Sequence, residues 1–181
     1  MPKDWETGII CPIFKKDDKL DCNNYTGITL YAIVYKVFSN VLNERLKKIT
    51  ENALGEYQCG FRKNRSTSDQ IFTVRQTMGK HYENNQDLHM LFVDFKQAFD
   101  SIDRYKLYEI TEDLKIPYKL ITLVKMTMNN STASVKVTNK LSNSFTFNAG
   151  VRQGDGLSTT LFILALRHGV QKTDQRGTIF T

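Results

Sequence analysis

Two carboxylates frame the turn that ends a short apolar run in the stretch H-M-L-F-V-D-F-K-Q-A-F-D-S, residues 89–101. Met90 to Val93 carry β-forming, apolar side chains, and such a run between polar flanks predicts a strand buried on both faces. Asp94 follows directly. An ionised carboxylate at a buried strand end is costly unless it is paired or bound to a metal. An aspartate beginning a helix would give the same local pattern, since Asp is a favoured cap. Asp100 follows after Lys96-Gln97-Ala98-Phe99 and reads as a cap or a structural pair. A second stretch, G-V-R-Q-G-D-G-L-S at 150–158, combines three glycines with Arg152, Gln153 and Asp155. Glycine lets backbone approach a ligand closely, and N–H groups at a helix start favour anions. A plain turn uses the same residues. Cations stand in two loops: Lys15 and Lys16 after P-I-F, and Arg62, Lys63 and Arg65 in C-G-F-R-K-N-R.

The elements that must position these groups can be read from periodicity. Gly8–Phe14 reads as a strand, with Pro12 placing it at a sheet edge or a bend. Asn23–Gly27 reads as a turn and Ile28–Leu30 as a short strand. From Tyr31 to about Glu51 the spacing of Val34, Val37, Phe38, Val41, Leu42 and Ile49 predicts a helix with these on its apolar face, and Asn40 and Asn43 largely outside it. Ser66, Thr67 or Ser68, with Asp69 or Gln70, can form a capping box for a helix to Asn84. Its candidate inward residues are Ile71, Phe72, Val74, Met78 and Tyr82. Helices are predicted over Arg104–Leu114 and Pro117–Met128, a hairpin over 134–149, and a helix from Thr159 to about Val170. Thr178–Thr181 could begin a further strand. The order is not a regular βαβ alternation, so the fold class is α+β, with a mixed, mostly antiparallel sheet packed on helices.

Composition narrows the function class. A net charge of +6 over 181 residues favours an acidic partner such as nucleic acid. Cys11, Cys22 and Cys59 are too widely spaced for a zinc cluster, and they suit an intracellular, reducing compartment. No run approaches a membrane helix, and the N-terminus lacks the pattern of a signal peptide.

The two stretches at 89–101 and 150–158, in that order, closely resemble the reverse transcriptase (RNA-directed DNA polymerase) domain of non-LTR, LINE-type retrotransposons. P-I-F-K-K, N-Y-T-G-I-T-L, K-V-F-S-N-V-L-N-E-R-L and Q-C-G-F-R-K-N-R-S-T-S-D-Q-I extend the resemblance over nearly the whole chain. It implies a right-hand polymerase, with 1–88 as fingers-like and early palm segment and 89–181 as partial palm. It implies nucleotidyl transfer with two divalent ions, Mg2+ or Mn2+, between an RNA template, a DNA primer and a deoxynucleoside triphosphate. Asp94 matches the first catalytic aspartate and a metal ligand, and Phe95 would lend its carbonyl. Phe99 matches the aromatic beneath the incoming sugar, Gln153 and Gly154 the loop that contacts nucleotide and template, and Lys15 or Lys16 the lysine that holds triphosphate. A solvated turn remains the other reading of those lysines. Arg62, Lys63, Arg65 and Arg152 are candidate phosphate contacts.

Departures from the family pattern bear on activity. The Y-A-D-D-type motif that supplies the remaining aspartates is not in this sequence, nor are thumb or endonuclease segments. Thr26 stands where the family usually has Arg, and Thr159 where it often has Pro. Thr cannot clamp a phosphate bidentately as Arg does. The expectation is a polymerase-domain segment truncated before that motif and inactive alone. The competing expectation is a non-catalytic nucleic-acid-binding remnant.

Overall fold

The computed structural model describes residues 1–174, with side chains as far as Gln171. The strands are β1 (Thr7–Phe14), β2 (Tyr25–Leu30), β3 (Thr132–Val137), β4 (Lys140–Leu141) and β5 (Phe145–Thr146). The helices are α1 (Ile33–Thr50), α2 (Thr67–Glu83), α3 (Arg104–Asp113), α4 (Tyr118–Met128) and α5 (Gly156–Asp174). This is the expected α+β class. The tail expectation over Thr178–Thr181 lies outside the described residues.

The sheet runs β2-β1-β3, with β4 and β5 both pairing with β3. β1 meets β2 antiparallel, from Ile9 opposite Leu30 to Phe14 opposite Tyr25. β1 meets β3 parallel, from Thr7 opposite Thr132 to Ile10 opposite Val135. The β4 and β5 pairings are antiparallel. Pro12 is therefore in an interior strand. It is tolerated because it lies beyond Ile10, where the β3 ladder has ended and only β2 remains alongside.

Four helices bury their apolar stripes against one another. Leu42 and Leu46 of α1, Leu107 of α3, Val124 and Met128 of α4, and Leu157, Leu161 and Leu164 of α5 form a common core. Residues from both halves of the chain thus share one interior. Asp103 caps α3 by accepting from the N–H groups of Tyr105 and Lys106.

Three expectations about burial are corrected. On α1 the buried stripe is Tyr35, Ser39, Leu42, Asn43, Leu46 and Thr50, whereas Val34, Val37 and Val41 are exposed. The stripe is polar in part because α1 lies along α5, and Thr160 Oγ1 donates to Asn43 Oδ1 at 2.7 Å. A buried polar side chain with a partner is inexpensive, and apolar periodicity does not register it. The α2 capping box forms as expected between Ser66 and Asp69, yet α2 buries no residue. Ile71, Phe72, Met78 and Tyr82 are exposed, because no described element packs closely on that helix. Residues 90–93 belong to no strand, and Phe92 is 79% exposed. A strand needs a neighbour for its N–H and C=O groups, and no described strand reaches this one.

Candidate functional site

The glycine-rich loop is held from below and from the side. Gly150 N–H donates to Ile102 O at 2.8 Å and Val151 N–H to Phe99 O at 2.9 Å, which ties the loop to the turn after Asp94. Gly150 has φ +74°, and a Cβ there would stand 2.7 Å from Asp100 Cα. On the other side Thr29 N–H of β2 donates to Gln153 O at 3.2 Å. Gly154 has φ +98°, and a Cβ would meet Thr29 O at 2.4 Å. Only glycine allows β2 to approach so closely at this point.

A buried layer of charge and aromatic rings fixes the loop further. Arg104, at the start of α3, donates to Gly150 O at 2.8 Å, Met128 O at 2.6 Å and Ala149 O at 3.3 Å. Desolvation pulls its pKa down, so these carbonyls, which suit the charged form, offset part of the cost of burial. Nothing in the sequence marks Arg104 for this task beyond its place after a helix cap. Arg152 is 2% exposed. It donates to Trp5 O at 2.9 Å and lies 5.1 Å from the ring centres of both Tyr31 and Tyr35. It also reaches Glu6 O and Ser131 Oγ. This corrects the expectation that Arg152 contacts phosphate: its guanidinium is enclosed by carbonyls and rings. Asp155 accepts from Tyr35 OH at 2.7 Å and from Leu157 N–H at 3.1 Å, so it starts α5 while anchoring to α1. Burial pushes the Tyr31 hydroxyl up to about 12, opposed by Arg152, and raises Tyr35 as well, with Asp155 adding to it. Both phenols stay protonated at neutral pH.

Above this layer lies a polar basin of about 350 Å3. Lys15, Thr26, Phe95, Phe99, Asp100 and Gln153 are among the residues that line it, so distant segments of the chain converge there. Phe99 is half-buried and stacks on Phe162 with ring centres 5.0 Å apart. Phe95 meets the same ring edge-on at 6.3 Å. Gln153 Nε2 donates to Asp100 Oδ2 at 2.9 Å, the structural pairing expected of Asp100. Burial raises the Asp100 pKa, against the lowering effects of Gln153 and Lys15. Lys16 and Gly154 do not line the basin; Gly154 is the contact point with β2. Asp94 is exposed and immediately precedes Phe95 at the rim.

The other cations are placed unevenly. Arg62 donates to Glu51 Oε1 at 2.6 Å, Gly55 O at 2.8 Å and Gln58 O at 3.1 Å, which staples its own loop. Arg65 pairs with Glu56. Lys63 lines a separate cleft of about 340 Å3 with Lys47 and Lys48. No group of three His, Cys, Asp or Glu side chains with metal-holding geometry occurs among the described residues. One exposed carboxylate at Asp94 is not a donor set that holds a divalent ion by itself.

Comparison with known proteins accounts for these features together. The family model "Reverse transcriptase (RNA-dependent DNA polymerase)" matches residues 13–180. The probable RNA-directed DNA polymerase from transposon X-element of Drosophila melanogaster is 29% identical over 168 residues, 91% of this chain and 18% of that protein. The RNA-directed DNA polymerase from mobile element jockey of the same organism is 29% identical over 166 residues, 90% of this chain and 18% of that protein. The transposon TX1 uncharacterized 149 kDa protein of Xenopus laevis is 24% identical over 166 residues, 92% of this chain and 13% of that protein. The chain spans less than a fifth of the length of these relatives. Polymerases of this family generally work with divalent metal ions. The order of the motifs, the loop they build and the matched relatives agree: this chain belongs to the reverse transcriptase family, in the branch carried by non-LTR retrotransposons.

Proposed function

We propose that the polar basin is the nucleotide-facing part of an RNA-templated DNA polymerase, with 1–88 serving as fingers and early palm and 89–181 as partial palm. The convergence of Lys15, Phe99, Asp100 and Gln153 on one basin carries this reading. Lys15 suits triphosphate oxygens as a mobile point charge. Phe99, backed by Phe162, offers a rigid apolar floor for a sugar, and its bulk would disfavour a 2′-hydroxyl. Gln153 offers an amide for the base or sugar, and Gly154 lets β2 close behind it. Thr26 takes part as a small polar wall, so Lys15 carries more of the anion binding than a neighbouring Arg would leave to it.

Asp94 and the Phe95 carbonyl would contribute one corner of a Mg2+ or Mn2+ site. Divalent ions there would activate a primer 3′-hydroxyl and neutralise the departing pyrophosphate. The described residues do not complete that donor set, so the chain alone should not extend a primer. The test is a primer-extension assay with the purified chain, an RNA template, a DNA primer, all four deoxynucleoside triphosphates and Mg2+. Template-dependent product that disappears in Asp94→Asn would overturn the inactivity and place the missing donors within this chain. Absence of product, with nucleotide binding retained, is the expected result.

A further inference from the structure

Asp100 and Gln153 stand at a junction. Both line the polar basin of about 350 Å3 and a neighbouring one of about 410 Å3, which is walled by Thr29, Phe145 and Phe147 among others. The two residues are 53 positions apart, and their 2.9 Å hydrogen bond closes the gap between the turn after Asp94 and the glycine-rich loop. The backbone on both sides is already pinned: Val151 N–H to Phe99 O, Gly150 N–H to Ile102 O, and Thr29 N–H to Gln153 O. What the backbone leaves undetermined is which way round the Gln153 amide sits. A glutamine amide has one accepting oxygen and two N–H donors, and the two ends are close in shape. A carboxylate only accepts when ionised, so it takes an N–H and repels the amide oxygen.

We propose that Asp100 is a positioning residue that fixes the Gln153 amide, holding one N–H so that Oε1 and the second N–H are presented to a nucleotide. The inference rests on the nucleotide reading of the basin. It adds a role for Asp100 that is neither metal binding nor helix capping. Asp103 caps α3, and Asp100 caps no described helix. Lys15 acts on the Asp100 carboxylate from the β1 end, so a ligand phosphate that draws Lys15 away leaves Gln153 as the principal partner of Asp100.

The test is a set of variants in the whole chain: Asp100→Ala, Asp100→Asn, Gln153→Ala and the Asp100→Ala/Gln153→Ala double. The probe is dGTP with Mg2+, displacing a fluorescent analogue. Loss of a charge-assisted hydrogen bond that orients the amide should weaken affinity about tenfold in each single Ala variant. The double should be no weaker than the singles, and Asp100→Asn, whose amide donates as well as accepts and so no longer excludes the reversed Gln153 amide, should fall between the parent and Asp100→Ala. A roughly hundredfold loss in the double, or parental affinity in Asp100→Ala, overturns the positioning role. A second readout separates this from failure of the nucleotide reading: the 15N side-chain amide resonance of Gln153 should move and exchange faster in Asp100→Ala without ligand. Parental chain that fails to bind nucleotide, with that resonance change present, sinks the nucleotide reading alone. An unchanged resonance sinks the positioning role whatever the affinities are.

Discussion

The helix α1 and the helix α2 are near equals as sequences and opposites as structures. Each is about five turns long with an amphipathic pattern, and α2 has the better start, a complete capping box. Yet α1 buries six residues against α5 and its neighbours, while α2 buries none. The apolar run at 90–93 shares the condition of α2: its side chains are exposed. Periodicity reports that a face would gain from burial, and the cap reports where a helix begins. Neither reports whether a covering surface is present. In this chain α1, α3, α4 and α5 complete one interior, and the α2 face and the run at 90–93 remain uncovered.

The sharpest way to break that contrast is truncation in the shared core. Leu161→Ala in α5 should cost about 3 kcal/mol, through lost transfer energy and an unfilled cavity. Phe72→Ala in α2 should stay within about 0.5 kcal/mol, as an exposed site does. Urea unfolding midpoints of the two variants check both, and equal losses would mean that α2 is packed after all.

Arg104→Ala comes next, at about 2 kcal/mol, because it leaves the buried Gly150 carbonyl without its side-chain donor and removes one of the two side-chain donors to Met128 O, the other being Ser131 Oγ. The same midpoints read it, and loss of protection at the Gly150 and Val151 amides should accompany it in hydrogen exchange. Ser66→Ala should cost about 1 kcal/mol of α2 stability. Since α2 packs on no described core element, the loss should appear as faster amide exchange at the start of α2, with little change in the global midpoint.

The smallest effect expected is one of pH. The raised Asp100 carboxyl binds a proton more tightly in the folded chain than in the unfolded one. Its contribution to stability is therefore full below the ordinary carboxylate range and is lost as pH rises through the folded-state value. Burial sets that direction, and Gln153 and Lys15 oppose it. Unfolding midpoints measured across acidic pH should show this decline in the parent and not in Asp100→Asn.

Much of the fold was legible in advance for physical reasons. Strong local signals placed α3 and α4 within a residue or two: Pro117 ahead of α4 and turn residues at 129–131 behind it. The two motif stretches, each legible as a strand-end or loop signal, meet in the structure, with Phe95, Phe99, Asp100 and Gln153 around one basin. What was not legible depended on partners distant in sequence. The face of α1 was set by Asn43 meeting Thr160 and Tyr35 meeting Asp155, both more than a hundred residues away. Arg152 read as a surface cation because its spacing from glycines suggests an open loop, and the carbonyls of Trp5 and Glu6 that enclose it lie at the other end of the chain. The run at 90–93 has strand composition, but composition cannot supply the neighbouring strand.

On the proposed reading, this basin holds a nucleotide through Lys15 on one side and the loop at Gln153 on the other. Titrating dGTP with Mg2+ into the full chain and into Lys15→Ala tests it most directly, since Lys15 is exposed and lies in the turn after β1. Saturable binding by the parent and a loss of about tenfold in the variant, with unfolding midpoints unchanged, are expected. Equal affinities, or no binding by either protein, would contradict it.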